Sequence, residues 1–151
     1  QLLVEYRGVK SPLALTLPVA PTAPALFTVD SSGRGPAAAL DEDSRLVSAG
    51  NPAAQGSIVT LFGTGEGQTV PSGVNGKLAV SPLPRPVLPV SVRIGGKEAD
   101  ILYAGGAPGL VAGVLQINAR VPEGVSPGPD VPITLAIGRD TSPPGVTIAI
   151  R

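Results

Sequence analysis

The stretch "GSIVTLFGTGEG", Gly56 to Gly67, decides how the chain is read, because its glycines admit two opposite meanings. Gly63, Gly65 and Gly67 imitate a dinucleotide-binding fingerprint, which needs a strand, a tight turn and a helix whose N-terminus meets the phosphate. The next residues, Gln68-Thr69-Val70-Pro71-Ser72-Gly73, read as a loop and not a helix, and no Gly-Lys-Ser/Thr comes after them. Before the glycines, Ile58, Thr60 and Phe62 alternate with Val59, Leu61 and Gly63, the period of two of a strand with one buried face. The glycines then mark a strand exit, where a bulge or a positive φ is needed. The stretch is structural.

The same texture extends outward in both directions. Pro and Gly recur too often to leave a helical window, and short aliphatic, β-branched runs bounded by turn residues take its place. "LLVEYRG" (2–8) and "LALTLPV" (13–19) read as two strands around a turn at Gly8–Pro12. "PALFTVD" (24–30) comes next, then "PAAALDEDSRLVSAG" (36–50) as a hairpin with its polar tip at Asp41–Ser44. A loop rich in Pro, Gly and Ser runs from Gln68 to about Pro86. "LPVSVRIGG" (88–96) and "KEADILYAGG" (97–106) read as a pair around Gly95-Gly96, a dipeptide suited to the positive φ of a tight hairpin. "VAGVLQINARVP" (111–122), "DVPITLAIG" (130–138) and "PGVTIAIR" (144–151) complete the set. About ten short strands at this spacing predict an all-β sandwich. Pro89 and Pro132 are expected at sheet edges, where a missing N–H is harmless.

Composition narrows the chemistry. The 151 residues include 20 Gly and 18 Pro, near the level where disorder competes, but charge is only 15% and the apolar residues arrive in alternating runs. Eleven basic residues balance eleven acidic ones with no basic block, which points away from nucleic acid and anionic membranes. No apolar run approaches the ~20 residues of a membrane span. His and Cys are absent, so Ser-His-Asp and Cys-His catalysis, His-ligated zinc and thiolate chemistry are all excluded. The chain opens at Gln1 with no initiator methionine, which reads as a mature or excised piece.

The remaining candidate groups point to no site. Asp41, Glu42 and Asp43 cluster as a calcium loop requires, but the ordered spacing, Gly and distant Glu of such a loop are missing, and a solvated hairpin tip is the expectation. Glu66, Glu98, Asp100, Glu123 and Asp130 could in principle pair for glycoside hydrolysis, yet nothing in the sequence pairs them. "YAGGAPGLVAGV" (103–114) reads either as a contact patch for a neighbour or as a plug closing the sandwich. The sequence nominates no catalytic, cofactor-binding or metal-binding residue.

An internal echo says more. "LVEYRGVKSPLALTLPV" (3–19) aligns without a gap on "TLAIGRDTSPPGVTIAI" (134–150), with Ser11-Pro12 on Ser142-Pro143 and Leu15-Thr16-Leu17 on Val146-Thr147-Ile148. Both read as strand–turn–strand units, the terminal hairpin of a repeated module. Residues 1–21 are therefore expected to form an N-terminal hairpin that docks on or is donated to a partner, and 22–151 the sandwich itself. A lone two-stranded hairpin is barely stable in water. It must fold back on its own sheet or be completed by another chain, as in β-strand addition.

"GSIVTLFGTGEG" and "PVSVRIGGKEADILYAGGAPGLVAGVLQINARVPEGVSPGPDVPITLAIG" resemble the IPT/TIG group of immunoglobulin-like modules. The resemblance rests on Gly63, Gly65 and Gly67, on Gly95-Gly96, and on the turn Val121-Pro122-Glu123-Gly124, and it spans a core of 56–151. "APALFT" (23–28), "NPAAQGSIVTLFGTGEGQTVPSGVNG" (51–76) and "LYAGGAPGLVAGVLQIN" (102–118) also resemble an uncharacterised C-terminal domain of large secreted proteins of Acidobacteria, Solibacter-type bacteria above all. That likeness covers roughly Leu3 to Arg151. It implies an immunoglobulin-like β-sandwich and an extracellular or cell-surface location, and it supplies no catalytic residues. The expected function is a non-catalytic structural or adhesive module, a filament subunit in its sharper form, pairing with itself or with neighbouring domains. The alternative is a polysaccharide- or protein-binding accessory module of a larger secreted enzyme.

Overall fold

A computed structural model describes residues 2–151, and all regular structure among them is β. In chain order the strands begin with β1 (Glu5–Tyr6) and β2 (Val9–Lys10), then β3 (Ala25–Leu26), β4 (Gly35–Pro36) and β5 (Ala39–Leu40). β6 (Ile58–Thr64) is the first long strand; β7 (Thr69–Val70), β8 (Arg85–Pro86), β9 (Val90–Ile94) and β10 (Lys97–Glu98) come after it. The last five are β11 (Asp100–Gly106), β12 (Leu115–Arg120), β13 (Gly128–Ile137), β14 (Asp140–Thr141) and β15 (Val146–Ile150).

Two sheets carry the molecule. One runs β10-β9-β13-β15-β4 with β14 also on β13; the other runs β11-β12-β6-β3 with β5 also on β6. The alternation of β6 appears as expected: Val59, Leu61 and Gly63 are buried while the residues between them are half-buried. The buried side chains of β6 share one core with Leu115 and Ile117 of β12, Val92 and Ile94 of β9, and Ile133 and Leu135 of β13. The architecture is thus sandwich-like, with aliphatic side chains of two sheets interleaved. Each such side chain contributes about 1.5–3 kcal/mol on burial. At Gly63 the layers close in: a Cβ there would lie 2.6 Å from the Ala25 carbonyl oxygen and 3.6 Å from Leu135 Cδ2.

Several local expectations are corrected. The N-terminal turn is Arg7-Gly8, not Gly8–Pro12; φ is 51° at Arg7 and 80° at Gly8, as a two-residue hairpin with both central residues left-handed demands. Gly95-Gly96 does turn the chain, but only Lys97 and Glu98 return along β9. After buried Ala99, whose N–H donates to the Val92 carbonyl at 2.8 Å, the chain crosses to the other sheet and β11 pairs with β12. Pro132 lies on β13, between β9 and β15, and not on an edge. It is accommodated where the β9 ladder ends, next to the irregularity between Gly128 and Val131, and its carbonyl accepts from Gly95 at 2.8 Å. The loop after Gln68 is not structureless either. It is pinched by β7 and β8 and bridged at Leu78–Val111 and Ala79–Pro108.

Candidate functional site

The glycines of the Gly56–Gly67 stretch hold the chain's own backbone. Ala23 N–H donates to the Gly65 carbonyl at 2.9 Å. A Cβ on Gly65 would stand 1.9 Å from the Ala23 carbonyl oxygen, and one on Gly67 2.3 Å from that of Pro21, with φ at +80° and +73°. Only glycine fits such an approach at such angles. Between these contacts sits buried Thr22, whose hydroxyl lies 3.0 Å from the Ile137 carbonyl and 2.6 Å from the Asp140 carboxylate. The segment entering the sandwich is therefore fastened to the exit of β6 and to the turn between β13 and β14.

The acidic tip is likewise occupied from within. Asp41 accepts from the Asn51 side-chain amide at 3.0 Å and from the Arg45 and Asp43 amides, and Arg45 bridges Asp41 at 3.1 Å and Asp43 at 2.8 Å. The Asn51 amide, followed by the Arg45 backbone N–H, holds the Asp41 carboxyl below the ordinary value of 3.8. Glu42 accepts from the Ile58 N–H at 3.1 Å. Among the described residues no group of three or more acidic side chains is placed to hold a metal ion, and no helix is long and apolar enough to cross a membrane.

Of the five scattered carboxylates, Asp130 alone reaches the apolar groove beside β4 and β15, which is lined by Val29, Leu46, Ala49 and Thr147 among others. A second groove, between residues 85–90 and 101–104, contains Tyr103. The Arg85 guanidinium lies 5.3 Å from the centre of that ring, and the hydroxyl donates to the Gly106 carbonyl at 2.7 Å, so one side of this ring is already covered against sugar stacking. The segment 103–114 is partly tucked in and partly exposed. Ala107 is buried and backbone bonds tie 109–112 to 77–79, while Leu110 and Val111 remain exposed.

The N-terminal hairpin carries the most pointed geometry. Glu5 pairs with Lys10 and Tyr6 with Val9; Ala136 pairs with Thr141 and Ile137 with Asp140. The shift is a constant 131 residues, from Glu5 to Ala136 and from Lys10 to Thr141. Ser11 N–H donates to the Val4 carbonyl at 2.8 Å and Ser142 N–H to the Leu135 carbonyl at 2.7 Å. In return, the Ser11 hydroxyl accepts from the Val4 N–H at 3.3 Å, and the Ser142 hydroxyl from the Leu135 N–H at 3.0 Å. The bridge Leu2–Leu15 continues the likeness, because the β13–β15 register, Val131 to Ile148 and Pro132 to Thr147, brings Ile133 opposite Val146 next.

Burial is where the two copies part. Leu2 is 50% exposed and Val19 95%, against 2% for Ile133 and 3% for Ile150. The pairing of Ser11 with Ser142 was visible in sequence; the reciprocal serine clamp and the Thr22 anchor were not, since a lone Ser or Thr announces no partner. Comparison with protein-family models, with curated proteins and with solved structures returns no match.

Proposed function

We propose that this chain is a non-catalytic structural or adhesive module of a bacterial extracellular or cell-surface protein, with an immunoglobulin-like sandwich of the IPT/TIG kind, linked to its neighbours through residues 2–19. The supporting observation is the hairpin itself. It keeps strand pairing, yet its aliphatic side chains stand in solvent and its hydrogen bonds run within residues 2–15. Contiguous apolar surface of that kind marks an interaction face, and extended backbone beside it is the material of β-strand addition. Filaments or rows of modules are the assemblies it suits.

Light scattering and electron microscopy of the full chain and of a chain without residues 1–20 test the reading. The full chain is expected to associate with rising concentration and the shortened one to stay monomeric. Equal association of both, or a strictly monomeric full chain, would overturn it.

A further inference from the structure

Residues 2–19 match the closing hairpin of the sandwich in pairing, in register and in the serine clamp, and they match it in the chemistry of the buried face. Leu2, Val4, Tyr6, Leu15, Leu17 and Val19 take the places of Ile133, Leu135, Ile137, Val146, Ile148 and Ile150. All six of the latter are buried in the core, and all six of the former are exposed. A hairpin meant for solvent has no need of an apolar residue at each inward position, because strand pairing alone accepts polar residues there.

We infer that residues 2–19 are the closing hairpin of a second sandwich of this same kind, and that their partner is an open sandwich lacking its last two strands. The inference rests on the reading that this segment links modules, and it names what the segment links to. In a copy of this chain that place is taken by β13 and β15, so the association expected between copies brings exposed hairpin faces together and is weaker than docking into an open sandwich. The identity of the occupant comes from what shares the core with the equivalent face here: Val59 and Leu61 of β6 and Leu115 and Ile117 of β12 in the other sheet, with Val92 and Ile94 of β9 beside it in its own sheet. The partner therefore offers two sheets with such aliphatic faces, not a flat edge. The passage from Val19 to β3 is short and carries Pro21 and Pro24 just after Pro18, and it is fastened at Thr22 and by the backbone contacts at Gly65 and Gly67. Successive sandwiches would then sit at a 131-residue period with little freedom between them.

A full-length chimera in which positions 133–150 carry the sequence of residues 2–19 tests this. A cooperative thermal transition with strand-type circular dichroism, and a further loss of melting temperature on Ser→Ala at position 142, are expected. A control with Ser at the six inward positions should lose the transition. Pro18 or Leu13 could disrupt the chimera locally, so a milder variant makes only the inward changes Ile133→Leu, Leu135→Val, Ile137→Tyr, Val146→Leu, Ile148→Leu and Ile150→Val. A cooperative transition in either supports the inference. Loss of the transition in both, or retention in the polar control, overturns it. Failure here combined with association that still depends on residues 1–20 would leave the linking role intact and remove only the open-sandwich partner.

Discussion

At the scale of single residues, the molecule distinguishes between identical chemistry in two settings. The Ser142 hydroxyl accepts from the buried Leu135 N–H, whereas its counterpart Ser11 serves Val4 in solvent. Deleting a partner leaves a buried N–H unsatisfied and costs about 1–3 kcal/mol, while water replaces an exposed one. Ser142→Ala should thus lower the unfolding free energy by that amount and Ser11→Ala should leave it unmoved; equal effects in chemical denaturation would contradict the asymmetry. Gly65→Ala is expected to cost more than about 2 kcal/mol, because a positive φ and a clash with the Ala23 carbonyl act together. Asp41 gives a pH signature. Its native pKa is depressed, chiefly by the Asn51 amide, so the stabilisation it adds is complete above the ordinary value of 3.8 and fades as pH falls through the lower native value. Asn51→Ala should move the Asp41 titration midpoint upward when followed by carboxyl NMR, and an unchanged midpoint would assign the shift elsewhere.

Single elements show which features a sequence can declare. Alternation in β6 was legible because one face meets the core and the other does not, and Gly95-Gly96 was legible because few dipeptides tolerate two left-handed residues. The crossing after Glu98 was not, since a strand that changes sheets keeps its alternation and only small Ala99 marks the corner. Pro132 misled for a related reason: a proline signals a missing N–H, not the side of the ladder on which the gap falls. The turn at Arg7-Gly8 hid behind a side chain that rarely adopts positive φ, here with its guanidinium 5.2 Å from the Tyr6 ring. The N-terminal echo was legible in letters, and the structure extends it to registers and hydroxyl contacts. Its consequence for the hairpin is specific. Leu15→Ser with Leu17→Ser should abolish concentration-dependent association in light scattering without altering the circular dichroism of the sandwich, and persistence of association would place the contact elsewhere.

For the molecule as a whole, the buried core and the exposed N-terminal hairpin occupy different parts of the chain. The buried aliphatic residues that join the two sheets lie between Leu26 and Ile150, and none belongs to residues 2–19. The strands between Ala25 and Leu40 pair with β6 or β15, so the sandwich takes in its early segment as well as the run from Ile58 onward. A glycine-rich strand exit that could have gripped a phosphate grips residues 21–25 instead, which ties the entry of the sandwich to its body and leaves the hairpin beyond that anchor. Truncating the core should therefore be felt in folding: Leu61→Ala, at a site with no exposed surface, is expected to cost about 2–5 kcal/mol through lost transfer energy and the cavity left behind. Removing residues 1–20 should be felt in association alone. At concentrations low enough to keep the full chain monomeric, the two forms should melt within about 2 °C of each other, since a segment without buried contacts adds no cooperative unit. Calorimetry decides the matter, because a large drop on deletion would mean that the hairpin packs on its own sandwich and is not held out for another.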